Sequence, residues 1–122
     1  MKVSSILKTN DTLKKIIDED KNVKPVFKFR LLGILKDFEP YVENFEMVKN
    51  SLIVKYGNKD EETGNVSLDI KDDEVMENFN KDITDVLNQD IEKEFSKIKF
   101  EDALAAGVGS DVLIGLYEIM EI

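Results

Sequence analysis

Residues 25–57, PVFKFRLLGILKDFEPYVENFEMVKNSLIVKYG, decide the fold of this chain. Phe27, Leu31, Ile34, Leu35, Phe38 and Tyr41 recur every three or four residues, and Phe45, Val48, Leu52 and Tyr56 carry the pattern on. That is the period of one helix face. Lys24-Pro25 supplies a start, because a proline in the first turn gives up an N–H that has no helical partner there. A continuous helix of about 30 residues would extend roughly 45–50 Å. Pro40 lies inside it. Its ring clashes with the carbonyl four residues back, which predicts a kink near Glu39 or two helices meeting there. Gly57 ends the run as a C-terminal cap.

The first third of this stretch is apolar on more than one side, because Phe29 and Leu32 fall off the main stripe. A helix apolar nearly all round is either enclosed by its own domain or shared with a partner. Phe29 and Leu32 are therefore the candidate interaction residues, and a homo-oligomer is the associated expectation.

Upstream, Val3, Ile6, Leu7, Leu13, Ile16 and Ile17 fit a helical stripe. Asn10 and Asp11 interrupt it, so one broken helix or two short ones are expected before the polar loop 18–22. Downstream, residues 58–65 (NKDEETGN) read as a loop, and Val66, Leu68 and Ile70 alternate with polar residues as in a short strand. Asp72 or Asp73 caps a further helix with the stripe Val75, Met76, Phe79, Ile83, Val86 and Leu87. Its acidic first turn suits the helix dipole. Residues 91–100 (IEKEFSKIKF) fit either a helix continuation or a strand end. After the flexible segment 103–109, Ser110 or Asp111 caps a last helix with Leu113, Leu116, Ile119 and Met120 on one face. The expectation is an α+β fold, mainly helical, with a long kinked helix, a small antiparallel sheet or hairpin and a C-terminal helix, in a single domain over residues 1–122.

Composition narrows the chemistry. The chain has 122 residues, 42% hydrophobic and 35% charged, with no Cys, His or Trp. A packed core is feasible and wholesale disorder is not expected. Without Cys there are no disulfides, Fe–S clusters, thiolate zinc sites or cysteine nucleophiles. Without His there is no Ser-His-Asp triad and no imidazole metal site. Net charge is −9, and a single Arg, Arg30, stands beside 16 Lys. Nucleic-acid binders carry a basic surplus and use Arg for bidentate base contacts, so direct DNA or RNA binding is not expected. There is no run of 18 apolar residues for a membrane span. The opening MKVSSILKTND does not read as a signal peptide, so the expected location is cytoplasmic.

Charge is uneven. Residues 1–36 hold 9 basic and 4 acidic side chains, whereas residues 37–122 hold 8 basic and 22 acidic. Solvated faces account for this plainly, and complementary ends that steer self-association account for it more sharply. Residues 58–94 hold 13 acidic and 4 basic side chains, a density compatible with mimicry of nucleic acid toward a basic groove on another protein.

No motif for catalysis emerges. Asn58, Asp60 and Glu62 alternate like a calcium loop, but an EF-hand needs Gly at its sixth position and Glu at its twelfth. Thr63 and Asp69 stand there instead. Gly107-Val108-Gly109 before a helix is reminiscent of a phosphate loop, yet the third Gly of a dinucleotide fingerprint and its βαβ frame are missing, and a hinge or helix cap is the plainer reading. Clusters such as Asp60-Glu61-Glu62 and Asp72-Asp73-Glu74 read as solubilising charge. The expectation is a non-enzymatic protein with no catalytic, cofactor or metal residues.

Several pieces in a fixed order resemble a known group. They are MKVSSILKTNDTLKKI at the start; Phe38-Glu39-Pro40 followed by Glu43, Phe45 and Glu46; LIVKYG at 52–57; and the acidic turn ending at Gly64-Asn65. Phe79-Asn80-Lys81, Leu87-Asn88, IEKEFSKIKFEDAL at 91–104 and SDVLIGLYEIMEI at 110–122 complete the series. In this order they resemble a family of small proteins of unknown function encoded by phages and prophages of low-GC bacteria. The chain departs from that pattern near 105–109, where family members tend to have a compact polar link. The resemblance implies a strand at 91–100, no catalytic motif and no cofactor. It also implies a setting: a virion assembly or tail- or neck-associated factor, with a phage structural protein as partner, in the host cytoplasm or on the virion. The alternative is an inhibitor of a host defence protein, working through acidic mimicry.

Overall fold

The computed structural model describes residues 1–121. Helix α1 spans Val3–Glu19 and α2 spans Pro25–Tyr56. A hairpin follows, β1 (Asn58–Lys59) pairing antiparallel with β2 (Val66–Ser67). Helix α3 spans Asp73–Leu87. An extended stretch leads to β3 (Ile98–Lys99) and the short α4 (Phe100–Ala105). The chain closes with α5 (Ser110–Leu113), a 3₁₀ helix (Ile114–Ile119) and β4 (Met120–Glu121), which pairs parallel with β3. The architecture is α+β and mainly helical, with a long helix, a small antiparallel hairpin and a C-terminal helical segment.

The 32-residue α2 is the spine. Its first half buries Phe27, Leu31, Ile34, Leu35 and Phe38. Ile6, Leu13 and Ile16 of α1 share one core cluster with that face, and Ile98, Leu113, Leu116 and Ile119 complete it, the 3₁₀ segment resting chiefly on α1. Phe38 is fully enclosed, and its ring meets Phe95 edge-on at 4.7 Å between centroids. Burying a Phe of this kind stabilises by about 1.5–3 kcal/mol. The second half of α2 is different. Tyr41, Phe45, Leu52 and Tyr56 are only half-buried and Val48 is exposed. This end rests on α3, which buries Phe79 alone. Tyr56 donates its hydroxyl hydrogen to Asp82 Oδ2 at 2.6 Å and packs edge-on against Phe79. A polar tether, an aromatic pair and the half-buried apolar stripe of α3 thus hold the thinner end.

Several local expectations are corrected. Helix α1 is continuous across Asn10 and Asp11. Thr9 and Asn10 are buried beside Ile6 and Leu13, so tertiary packing overrides the weak helix preference of two short polar residues. Helix α2 also runs unbroken through Pro40, so no second helix begins there. Pro40 and Lys36 are both exposed, and the Lys36 carbonyl that loses its helical donor can bond water. Gly57 does end α2, donating its N–H to the Ile53 carbonyl at 2.7 Å, but its backbone is extended rather than left-handed. The glycine is needed for room. A Cβ there would press on the Ile53 carbonyl and sit 2.7 Å from Val66 Cγ1 and 2.9 Å from the Ser67 carbonyl oxygen.

Strand β2 stops at Ser67, leaving Ile70 exposed. Asp72 is the cap of α3, its Oδ1 accepting from the Val75 N–H at 3.2 Å. Residues 91–97 are neither helix nor strand, and only Ile98 and Lys99 pair as a strand. The last helix is chiefly 3₁₀. Leu113, Leu116 and Ile119 are spaced by three, which matches three residues per turn and keeps all of them on the buried side.

Candidate interaction surface

Phe29 and Leu32 lie where the periodicity places them, off the buried stripe of α2. Phe29 is 78% exposed and Leu32 36%, and Val26, at 79%, joins them. Phe27 beside them is 5% exposed. The rotation of 100° per residue puts these neighbours on opposite sides of the helix wall. Lys28, Leu32 and Lys36 form an i, i+4 row next to Phe29, so this strip is apolar with cationic flanks.

A second apolar surface was not legible in the sequence. Helix α4 and the α5–3₁₀ segment stand apart and enclose an open groove of about 690 Å³. Leu113 and Met120 lie at its base, and Phe100, Ile114 and Tyr117 form its walls. The wall residues are open to water: Ile114 is 80% exposed, Tyr117 64% and Phe100 45%. Glu101 and Glu121 stand on its rim, together with one cation, Lys99. The groove exists because the 3₁₀ turn puts residues 113, 116 and 119 inward and therefore 114 and 117 outward. An α-helical reading of the same residues blurs that division. A period of exactly three in Leu113, Leu116 and Ile119 was the available signal.

The two surfaces are neighbours. Arg30 of α2 pairs with Asp102 of α4 at 3.6 Å, with both side chains about half exposed. The backbone reinforces this junction. Lys24 donates its N–H to the Ala106 carbonyl at 2.9 Å, and Gly107, with φ of +96°, passes against the Asn22 carbonyl.

The other sequence candidates do not assemble into chemistry. In the 58–67 hairpin, Asp60 Oδ1 accepts from the Glu62 N–H and Thr63 Oγ1 from the Asn65 N–H, so these oxygens serve the turn itself. Among the described residues no group of three or more acidic side chains converges as a metal would require. Gly109 precedes a helix of only four residues, and Val108 is buried in the core. No described helix is long and apolar enough to cross a membrane. No protein-family model, curated protein or solved structure matches the chain.

Proposed function

We propose that this chain acts by binding another protein rather than by catalysis, as a phage- or prophage-derived factor in virion assembly or in tail or neck association. The observation that supports this reading is the groove between α4 and the α5–3₁₀ segment, whose walls are large apolar side chains left open to water. Exposed apolar surface costs free energy in water, and contiguous patches of it mark interaction sites. The phage setting comes from the ordered sequence resemblance. The proposed location is the host cytoplasm or the assembled particle.

The test is a pull-down with the tagged full chain after prophage induction, run in parallel with an Ile114→Asp variant and read by mass spectrometry. Ile114 is 80% exposed, so the variant keeps its fold. Recovery of capsid, tail or neck proteins by the parent chain, lost in the variant, supports the reading. Recovery of one host nuclease or signalling protein, insensitive to the variant and weakened steeply by salt, replaces it with defence inhibition through the acidic face. Recovery of no specific protein overturns both.

A further inference from the structure

We propose that the groove between α4 and the α5–3₁₀ segment receives the basic, apolar strip at the start of α2 from a second copy of this chain. The inference rests on the binding role above and names the occupant. Residues 21–36 contain Lys21, Lys24, Lys28, Arg30 and Lys36 and no acidic residue. Residues 101–121 contain Glu101, Asp102, Asp111, Glu118 and Glu121 and no basic residue. The two segments are opposite in formal charge, although Asp37 directly follows the first and Lys99 of the groove rim precedes the second, and each carries large exposed apolar side chains.

Within one chain this complementarity is mostly unused. Arg30–Asp102 is the one ion pair between the segments among the described residues, and Lys28 and Lys36 pair with no acid there. Phe29 and Val26 point to water, as do Ile114 and Tyr117. The surfaces complement each other: a narrow apolar ridge flanked by cations, and an apolar groove whose rim carries two carboxylates and one lysine, Lys99. Because Arg30–Asp102 holds them side by side, both are presented together. In a two-fold pair, ridge meets groove twice, the condition for a closed isologous contact. Opposite charges then steer the encounter and fix its register, while Phe29 and Ile114 supply the apolar burial.

Sedimentation of the full chain at up to ~100 µM, in about 50 mM and about 500 mM salt, reads the result. The expected mass at low salt is above the 14.0 kDa of one chain, with roughly tenfold weaker association at high salt. Lys28→Glu/Lys36→Glu and Glu101→Lys/Glu121→Lys each carry reversed charge on exposed or half-exposed positions. Each variant alone should sediment as one chain, and an equimolar mixture should associate again, since reversed strip then meets reversed groove. Circular dichroism melting shows whether each variant is folded. Phe29→Ser, which alters no charge, should also abolish association. A parent chain that stays monomeric at low salt overturns the proposal, as does association that survives both charge reversals. If the parent is monomeric yet the pull-down still recovers a partner through Ile114, the binding role stands and only the second copy is excluded.

Discussion

Two glycines with positive φ differ in a way that permits a sharp test. Gly64 sits at φ +74° in the hairpin turn with open space where a Cβ would lie. Gly107 sits at φ +96°, and a Cβ there would be 2.6 Å from the Asn22 carbonyl oxygen and 3.7 Å from Val23 Cα. Gly→Ala at either position incurs the left-handed penalty of about 1–2 kcal/mol, offset in part by ~0.4–1 kcal/mol from a less flexible unfolded chain. Gly64→Ala should therefore lose about 1 kcal/mol. Gly107→Ala must in addition displace backbone that is tied down. The Lys24 N–H bonds the Ala106 carbonyl, the Val108 N–H bonds the Ala103 carbonyl, and Val23 and Val108 are both in the core. Overpacking against fixed structure costs about 1–3 kcal/mol more. The expected total is about 2–4 kcal/mol, a large part of the 5–15 kcal/mol typical of a domain. In urea denaturation Gly107→Ala should lower the midpoint at unchanged slope by at least about twice the Gly64→Ala shift. Equal losses in the two variants would refute the argument that the 20–24 loop is locked onto residues 106–108.

Further outcomes follow from the packing. Phe27→Ser should lose about 3 kcal/mol or more, whereas Phe29→Ser should stay within about 0.5 kcal/mol, because only Phe27 is buried; thermal melts at a concentration where the chain is monomeric compare them. Asp72→Ala removes the acceptor of the Val75 N–H and should cost about 1 kcal/mol, read by denaturation and by faster amide exchange in the first turn of α3. Pro40→Ala restores a backbone donor inside α2 and should raise the melting temperature; a fall would show that the proline conformation is required by the contacts of Tyr41 with Phe95.

Periodicity marked the helical spine of this protein, but its continuity through Pro40 came from the structure. The three- and four-residue spacing from Phe27 to Tyr56, the start at Pro25 and a cap at Asp72 or Asp73 are local properties, set by helix geometry and by the bonding of a few side chains to nearby backbone. The position of Phe29 and Leu32 off the main stripe was legible for the same reason, whereas their exposure to water came only from the structure. Continuity through Asn10 was not legible, because it depends on burial against α2 and the C-terminal segment. Nor was the role of Gly57, whose lack of a side chain answers to β2 rather than to its own dihedral angles. Residues 91–100 have no dominant local preference. Their course is decided by Phe95 meeting Phe38 and Tyr41 and by Ile98 entering the core, contacts made across more than fifty residues of chain. The groove belongs to the same category. Its walls, Phe100, Ile114 and Tyr117, come from two separate short elements, and only the seating of the 3₁₀ segment on α1 and of α4 beside β3 and α5 brings them together around one open space. Sequence determines which faces are apolar through local geometry, whereas which of those faces is covered depends on long-range packing, and that only the tertiary structure decides.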